Sequence, residues 1–419
     1  MNHHKYALRD ILISFVIIIS FLQRVIVQYI PLFSYYDEMI MAVLIILYLF
    51  FTLKKHAISK KDLSIWGIIL LIIIVGLIGN MISGYKRSIV IVLNGIIVWF
   101  KSFIVYLTLD SILNREERTT EVVINNIYVF ARIFVLVAFI GLIISPITGA
   151  GVELLKTRMR YGFHPYKFIY SQPALLSWYC LATMMILTIA NVSKYRKNNI
   201  IYRLMLTVVW LATLRSRAFV YVLVYWFLYY VLFIFDKKKL PKIKLRFLIF
   251  VGIVAIVVAG SAIERYFFSG NTTRSILLIT GISIAMRFFP FGAGIANYAT
   301  SASFKNYSSL YYDYGFNMIY RLNQSEDGMT ELTDCYWPAV MGELGIVGLI
   351  FLMILFYKLG KILLSKSRFN KWIYYNTVFL IVTSLFSSVA TAVFSSDAMI
   401  LYILITCFGI YMGDSELLD

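Results

Sequence analysis

The chain has 419 residues, 61% of them hydrophobic and only 14% charged, with a mean hydropathy of +0.81. A soluble domain carries about 25% charged residues, so this chain cannot cover its surface with polar groups and lipid must be its solvent. Its net charge of +18 sits in short basic clusters between apolar runs, not in a stripe interleaved with stacking aromatics; that excludes nucleic acid as a partner and matches the positive-inside pattern.

A bilayer asks for about 20 mostly apolar residues per helix, because no backbone polar group goes unpaired in hydrocarbon. Twelve such runs are predicted, near 11–30, 39–53, 63–80, 88–109, 122–146, 173–192, 200–214, 218–235, 247–263, 336–357, 372–393 and 397–413. The first lacks a small-residue cleavage site and is expected to anchor the chain instead of being removed. The expected fold is therefore all-α and polytopic, one integral membrane domain over 1–419. Basic clusters at 54–61, 115–118, 194–197, 237–246 and 358–371 assign those connections and both termini to the cytoplasm. The connections that face outward are then 31–38, 81–87, 147–172, 215–217, 264–335 and 394–396. Only 147–172 and 264–335 are long. The second is rich in Tyr, Ser and Asn, and its apolar stretch Ser275–Phe289 is expected to lie along the interface or dip into it.

The outward connections are poor in Lys but hold Arg158, Arg160, Arg215, Arg217, Arg265, Arg274 and Arg287. Arginine on the outer face runs against the positive-inside bias. It makes bidentate contacts to phosphate with a charge that does not titrate away. An outward set thus suits a lipid diphosphate, although single arginines also snorkel or pair with local carboxylates. Arg217, opening an apolar helix, is the best single candidate. Asp334 precedes a helix with Pro338 in its first turn, and reads either as an N-cap or as a base for a sugar hydroxyl. Tyr336 and Trp337 read as interface anchors. Glu343 lies about two turns into the span, where a carboxylate needs a partner; pairing with an arginine is expected, with direct chemistry the other reading. His164 is the only histidine of the outer face, structural or catalytic. Lys101 is expected either to line a polar cavity or to pair internally. The Tyr-rich 306–320 segment offers rings for sugar stacking or for loop packing. No phosphate-binding glycine loop, zinc-protease motif, metal-ligand spacing or nucleophile elbow is present, and Cys180, Cys335 and Cys407 are scattered. No metal or cofactor is expected.

Four ordered blocks resemble the O-antigen polymerase/ligase superfamily of bacterial envelope glycosyltransferases. They are Arg160-Tyr161-Gly162-Phe163-His164-Pro165, Thr213-Leu214-Arg215-Ser216-Arg217-Ala218, Arg274 followed by Pro290-Phe291-Gly292-Ala293-Gly294, and Asp334 through Gly348. The ligase branch has a histidine where Asp334 stands, so the chain is more similar to the repeat-unit polymerases of O-antigen or capsule. The resemblance implies a GT-C-like bundle in a bacterial cytoplasmic membrane, with an outward site for an inverting, metal-independent transfer. The substrate it implies is an undecaprenyl-pyrophosphate-linked oligosaccharide, with a chain-length regulator and a flippase as partners. Arg160, Arg215, Arg217 and Arg274 would hold the pyrophosphate; Asp334, Arg217 and Arg274 would be catalytic; His164, Glu343, Tyr336 and Trp337 would support the glycan or the site. The alternatives are the ligase itself and a flippase for the same lipid-linked unit.

Overall fold

The computed structural model describes residues 2–55, 59–116, 120–152, 159–160, 162–192, 199–235, 272–324 and 331–412. Among them the apolar runs fold into α-helices, as backbone pairing in lipid demands. In chain order these are α1 (Asn2–Ile26), α2 (Tyr36–Lys55), α3 (Lys60–Ser83), α4 (Ile89–Glu116), α5 (Glu121–Thr148), α6 (Pro173–Ile189), α7 (Ile200–Leu211) and α8 (Ser216–Tyr229). After the long connection come α9 (Thr273–Arg287), α10 (Ser301–Lys305), α11 (Ser309–Asp313), α12 (Tyr336–Ser367), α13 (Lys371–Ser388) and α14 (Asp397–Ile410). Local chemistry fixes many ends. Ser59 accepts from Asp62 N at 3.0 Å, Thr272 and Thr300 form capping boxes, and Gly84 and Gly149 close helices in the left-handed region.

The protein is all-α with multi-pass character, but twelve spans is not the number it supports. Seven helices among the described residues are long and apolar enough to cross a membrane: Pro31–Lys54, Lys60–Ser83, Ile89–Arg115, Glu121–Thr148, Pro173–Val192, Ser216–Phe233 and Tyr336–Ser367. The predicted run 200–214 yields only the 12-residue α7, and 397–413 the 14-residue α14. The run 372–393 breaks at Ser388 and turns through a 3₁₀ segment, Val393–Ser395. The run 247–263 lies outside the described residues. A hydropathy window does not distinguish a helix that crosses from one that stops part-way, because apolar turns average into the same score.

Successive helices carry their charges to opposite ends of the bundle. At one end Lys366 bonds Asp110 at 2.7 Å and the Tyr411 hydroxyl at 2.6 Å, Lys358 bonds Ser64, and Arg115 bonds Thr52. At the other lie the C-terminal ends of α1 and α13 and the N-terminal ends of α2, α6, α8, α9, α12 and α14, which surround a cavity. The helices α6 and α14 are apolar all round and almost wholly buried, as expected of central helices. Helix α14 is about 21 Å long at 1.5 Å per residue, short of the ~30 Å of a hydrocarbon layer. The 389–396 turn that leads into it is therefore sunk within the bundle. Ser102, well inside α4, donates to Phe394 O at 2.6 Å and fixes that turn as the cavity floor.

Helix α12 is broken at Gly345, with φ 62° and ψ −162°. The bend is sharp enough to bring the Tyr336 and Phe356 rings within 6.4 Å, although they stand more than about five turns apart along the chain. The carbonyls of Gly342 and Glu343 accept from Ala293 N at 2.8 Å and Gly294 N at 2.9 Å, and Val347 N donates to Pro290 O at 3.3 Å. The Pro290–Gly294 turn is thus a buckle that satisfies the broken helix. Helix α9, the apolar stretch of the long connection, packs on α12 and does not cross. Arg274 at its start meets Asp334 at the cavity, and Arg287 at its end meets Asp313 of the same long connection.

Candidate functional site

The cavity has a volume of about 750 Å³. Arg160, Arg215, Arg217, Arg274 and Asp334 all line it, with Arg24, Lys101, Asp37 and Asp397. Six basic side chains face three carboxylates, a formal excess of three positive charges.

Each arginine is placed by a local device. Arg160 and Phe163 exchange backbone bonds of 2.9 Å across a tight turn, and Arg160 Nη1 reaches Leu214 O at 3.4 Å. Leu214, at φ 50°, turns the chain between α7 and α8 and sets Arg215 and Arg217 beside the start of α8. Arg217 Nη2 donates to Ala174 O at 2.7 Å, and its guanidinium lies 5.1 Å from the centre of the Trp178 ring. Among the described residues Arg217 forms no ion pair. Arg274, in the first turn of α9, donates from Nη2 to Asp334 Oδ2 at 2.9 Å. Burial raises the Asp334 carboxyl above its ordinary value, and the Arg274 guanidinium only partly offsets that. Asp334 does not cap α12: the N-cap position is Cys335, and it makes no side-chain cap bond. Burial pushes the Cys335 thiol up to about 12.

Other expected residues sit elsewhere or play other parts. Glu343 is fully buried but pairs with no arginine among the described residues. Its Oε2 accepts from Trp99 Nε1 at 2.7 Å, and its Oε1 accepts from Tyr298 N at 2.9 Å and Thr300 Oγ1 at 2.8 Å. Neutral donors from two segments take the place of a counter-ion because the break at Gly345 turns Glu343 towards the 298–300 loop. Tyr336 is 1% exposed, so it is a core ring against Trp99 that also lines the cavity, not an interface anchor. Trp337 donates to Ser388 Oγ at 3.0 Å and packs on Phe356. His164 is not among the cavity-lining residues. The 306–320 aromatics mostly pack on one another: Tyr311 stacks on Phe316 at 5.3 Å, and its hydroxyl accepts from Ala299 N at 2.8 Å.

On a second side of the cavity the sequence pointed to Lys101 but not to the carboxylates that hold it and Arg24. Arg24 clasps Asp397 through Nε at 2.6 Å and Nη2 at 2.8 Å. Lys101 bonds Asp37 and lies 3.4 Å from Glu38, so it both lines the cavity and pairs internally. Gln23 Nε2 donates to Asp37 Oδ1 at 3.2 Å. The signal was present in ionisable residues placed within apolar helices.

The fold and site define a class: a multi-pass α-helical membrane protein with an arginine-rich cavity at the end opposite its lysine clusters. Compared with known proteins, the chain matches no family model and no curated protein.

Proposed function

We propose that this protein is a glycosyltransferase that polymerises undecaprenyl-pyrophosphate-linked oligosaccharide repeat units into O-antigen or capsular polysaccharide. In this reading the cavity opens on the outer face of a bacterial cytoplasmic membrane, since the lysine-rich end belongs inside. The observation that carries it is the convergence of Arg160, Arg215, Arg217, Arg274 and Asp334, from four separate segments, on one cavity with an excess of positive charge.

The chemistry follows from the charges. The acceptor hydroxyl oxygen attacks the donor's anomeric carbon while the bond to pyrophosphate oxygen breaks. The leaving pyrophosphate takes the electron pair, and Asp334 takes the hydroxyl proton. Negative charge grows on the leaving group, where fixed guanidinium groups lower the barrier most. Arg217 suits that task best, because no carboxylate already neutralises it. A carboxylate with a raised proton affinity is a better base than an ordinary aspartate. Arg274 holds Asp334 in place and adds its own charge. Two lipid-borne substrates confined to one plane also surrender less freedom on meeting. The ordered motif resemblance supports the same assignment.

The test is incubation of the purified protein with lipid-linked repeat units. The expected product is a ladder of lengthened lipid-linked glycans that disappears in Arg217→Ala and in Arg274→Ala. A ladder that persists in both variants removes the mechanism. Transfer only to a non-isoprenoid acceptor converts the assignment to a ligase.

A further inference from the structure

The cavity has two chemically different walls. One holds Arg160, Arg215, Arg217, Arg274 and Asp334, and is strongly cationic. The other is built from the ends of α1, α2 and α14 and the middle of α4, and holds Gln23, Arg24, Asp37, Lys101 and Asp397. On that second wall every cation has a carboxylate. Arg24 clasps Asp397 bidentately, and Lys101 is held by Asp37, with Glu38 at 3.4 Å. The groups lie within electrostatic range of one another: Asp397 acts on Lys101, and Asp37 acts on Arg24. Asp37, Lys101 and Asp397 are each less than a tenth exposed, whereas the Arg24 side chain is 43% exposed.

A diphosphate does not fill this space. Even allowing each of its nine heavy atoms the ~30 Å³ of a whole water, it takes about 270 Å³ of the roughly 750 Å³ present. Nor does the balanced wall attract a further anion, because its cations are already neutralised. What it offers is hydrogen bonding of both senses. Arg24 bonds Asp397 through Nε and Nη2 and keeps its other N–H donors. Gln23 donates through its amide nitrogen, and its carbonyl oxygen forms no hydrogen bond among the described residues. The carboxylates retain second lone pairs, and Ser34 adds a hydroxyl at the same wall. A sugar hydroxyl both donates and accepts, so a ring of them needs this mixture. The reciprocal ion pairs hold the groups in place before any ligand arrives.

We propose that the wall formed by Gln23, Arg24, Asp37, Lys101 and Asp397 binds a neutral, polyhydroxylated sugar beside the diphosphate-binding arginines. That this sugar is the reacting end of the acceptor rests on the transferase reading; the sugar site itself does not.

The experiment uses the full chain in lipid nanodiscs and two probes, read by the fluorescence of cavity-lining Trp99 and Trp178. One probe is inorganic pyrophosphate. The other is the free oligosaccharide released by mild acid from the lipid-linked fraction of the source cells. Two exchanges are used: Arg24→Gln with Asp397→Asn removes an ion pair, and Lys101→Met with Asp37→Asn and Glu38→Gln removes a lysine with both carboxylates it meets. Gln23→Ala removes no charge at all and serves where an exchange fails to fold. Each variant is expected to bind the oligosaccharide at least about tenfold more weakly, about 1.4 kcal/mol, and to bind pyrophosphate as the unaltered protein does. Arg217→Ala is expected to do the reverse. Oligosaccharide affinity within about twofold of the unaltered protein in Gln23→Ala and in the folded exchanges overturns the proposal. So does equal loss of both probes together with a lowered unfolding temperature, which marks the pairs as helix staples only. Failure of pyrophosphate to bind the unaltered protein counts against the transferase reading and leaves the sugar result intact.

Discussion

Gly345→Ala is the sharpest test of how α12 is built. At φ 62° and ψ −162° this residue occupies a region open essentially to glycine alone, where another residue carries roughly 1–3 kcal/mol of strain. An added Cβ stands 2.3 Å from Pro290 O and 2.5 Å from Gly292 N. Both are backbone atoms, so neither can rotate away. Relieving the clash separates the buckle from the helix and puts at risk the bonds Ala293 N to Gly342 O, Gly294 N to Glu343 O and Val347 N to Pro290 O, worth about 1 kcal/mol each. The total is about 4–6 kcal/mol, a large share of the 5–15 kcal/mol that holds a typical fold. The assay is thermal unfolding in detergent by intrinsic fluorescence, with Gly67→Ala as its control. Nothing lies within 4 Å of a methyl placed on Gly67, and in a helix interior alanine is favoured over glycine by about 1 kcal/mol. The control is expected to hold or gain stability while Gly345→Ala loses most of its folded population. Equal unfolding temperatures for the two variants would refute the buckle.

Four further outcomes follow from named groups. Arg217→Ala is expected to lower kcat/KM by about 100-fold, as loss of one preorganised donor does; Arg217→Lys keeps the charge but loses the fork and the stacking on Trp178, and falls between. Because burial raises the Asp334 carboxyl, the acid limb of the kcat/KM profile should lie above that of an ordinary aspartate, with activity lost as pH falls through it. The linkage sign agrees: the folded state holds the proton where the unfolded chain has released it, so stability declines as pH rises through that window, and Asp334→Asn should remove both dependences. Glu343→Gln sets an amide N–H₂ against the Trp99 donor or the Tyr298 and Thr300 donors, and should cost about 1–3 kcal/mol in unfolding measurements. Single cysteines at Ser216 and Ser365 should label from opposite sides of sealed vesicles, against a low background because Cys180, Cys335 and Cys407 are all buried.

What was legible in the sequence, and what was not, divides along physical lines. Apolar length was legible, and all seven full-length helices fall on predicted runs. The point where an apolar helix stops was not, since α14 and the turn before it are as greasy as a span. The arginines of the cationic wall stood out because they lie on outward connections that are poor in lysine. Their number is one thing and their meeting another: Arg160 reaches α8 only through the Leu214 turn, a contact no spacing encodes. Pro290-Phe291-Gly292-Ala293-Gly294 and Gly345 were visible as separate motifs, yet they are two halves of one buckle. Glu343 was correctly marked as needing partners, but neutral donors from the 298–300 loop and Trp99 supply them. Lys101 was marked alone; its carboxylate Asp37, like Asp397 for Arg24, lies in another helix, far away in the chain.

The short α14 also has an electrical consequence. A water-accessible hollow carries the potential of its own side down to its base, so a membrane voltage falls mainly across the helical layer beneath. Moving one charge through such a drop is worth about 2.3 kcal/mol per 100 mV. Arg24 with Asp397, and Lys101 with Asp37, stand where the drop begins, and each couple sums to zero. The field finds no net charge to pull on in either couple, so a membrane voltage gives neither pair a reason to move.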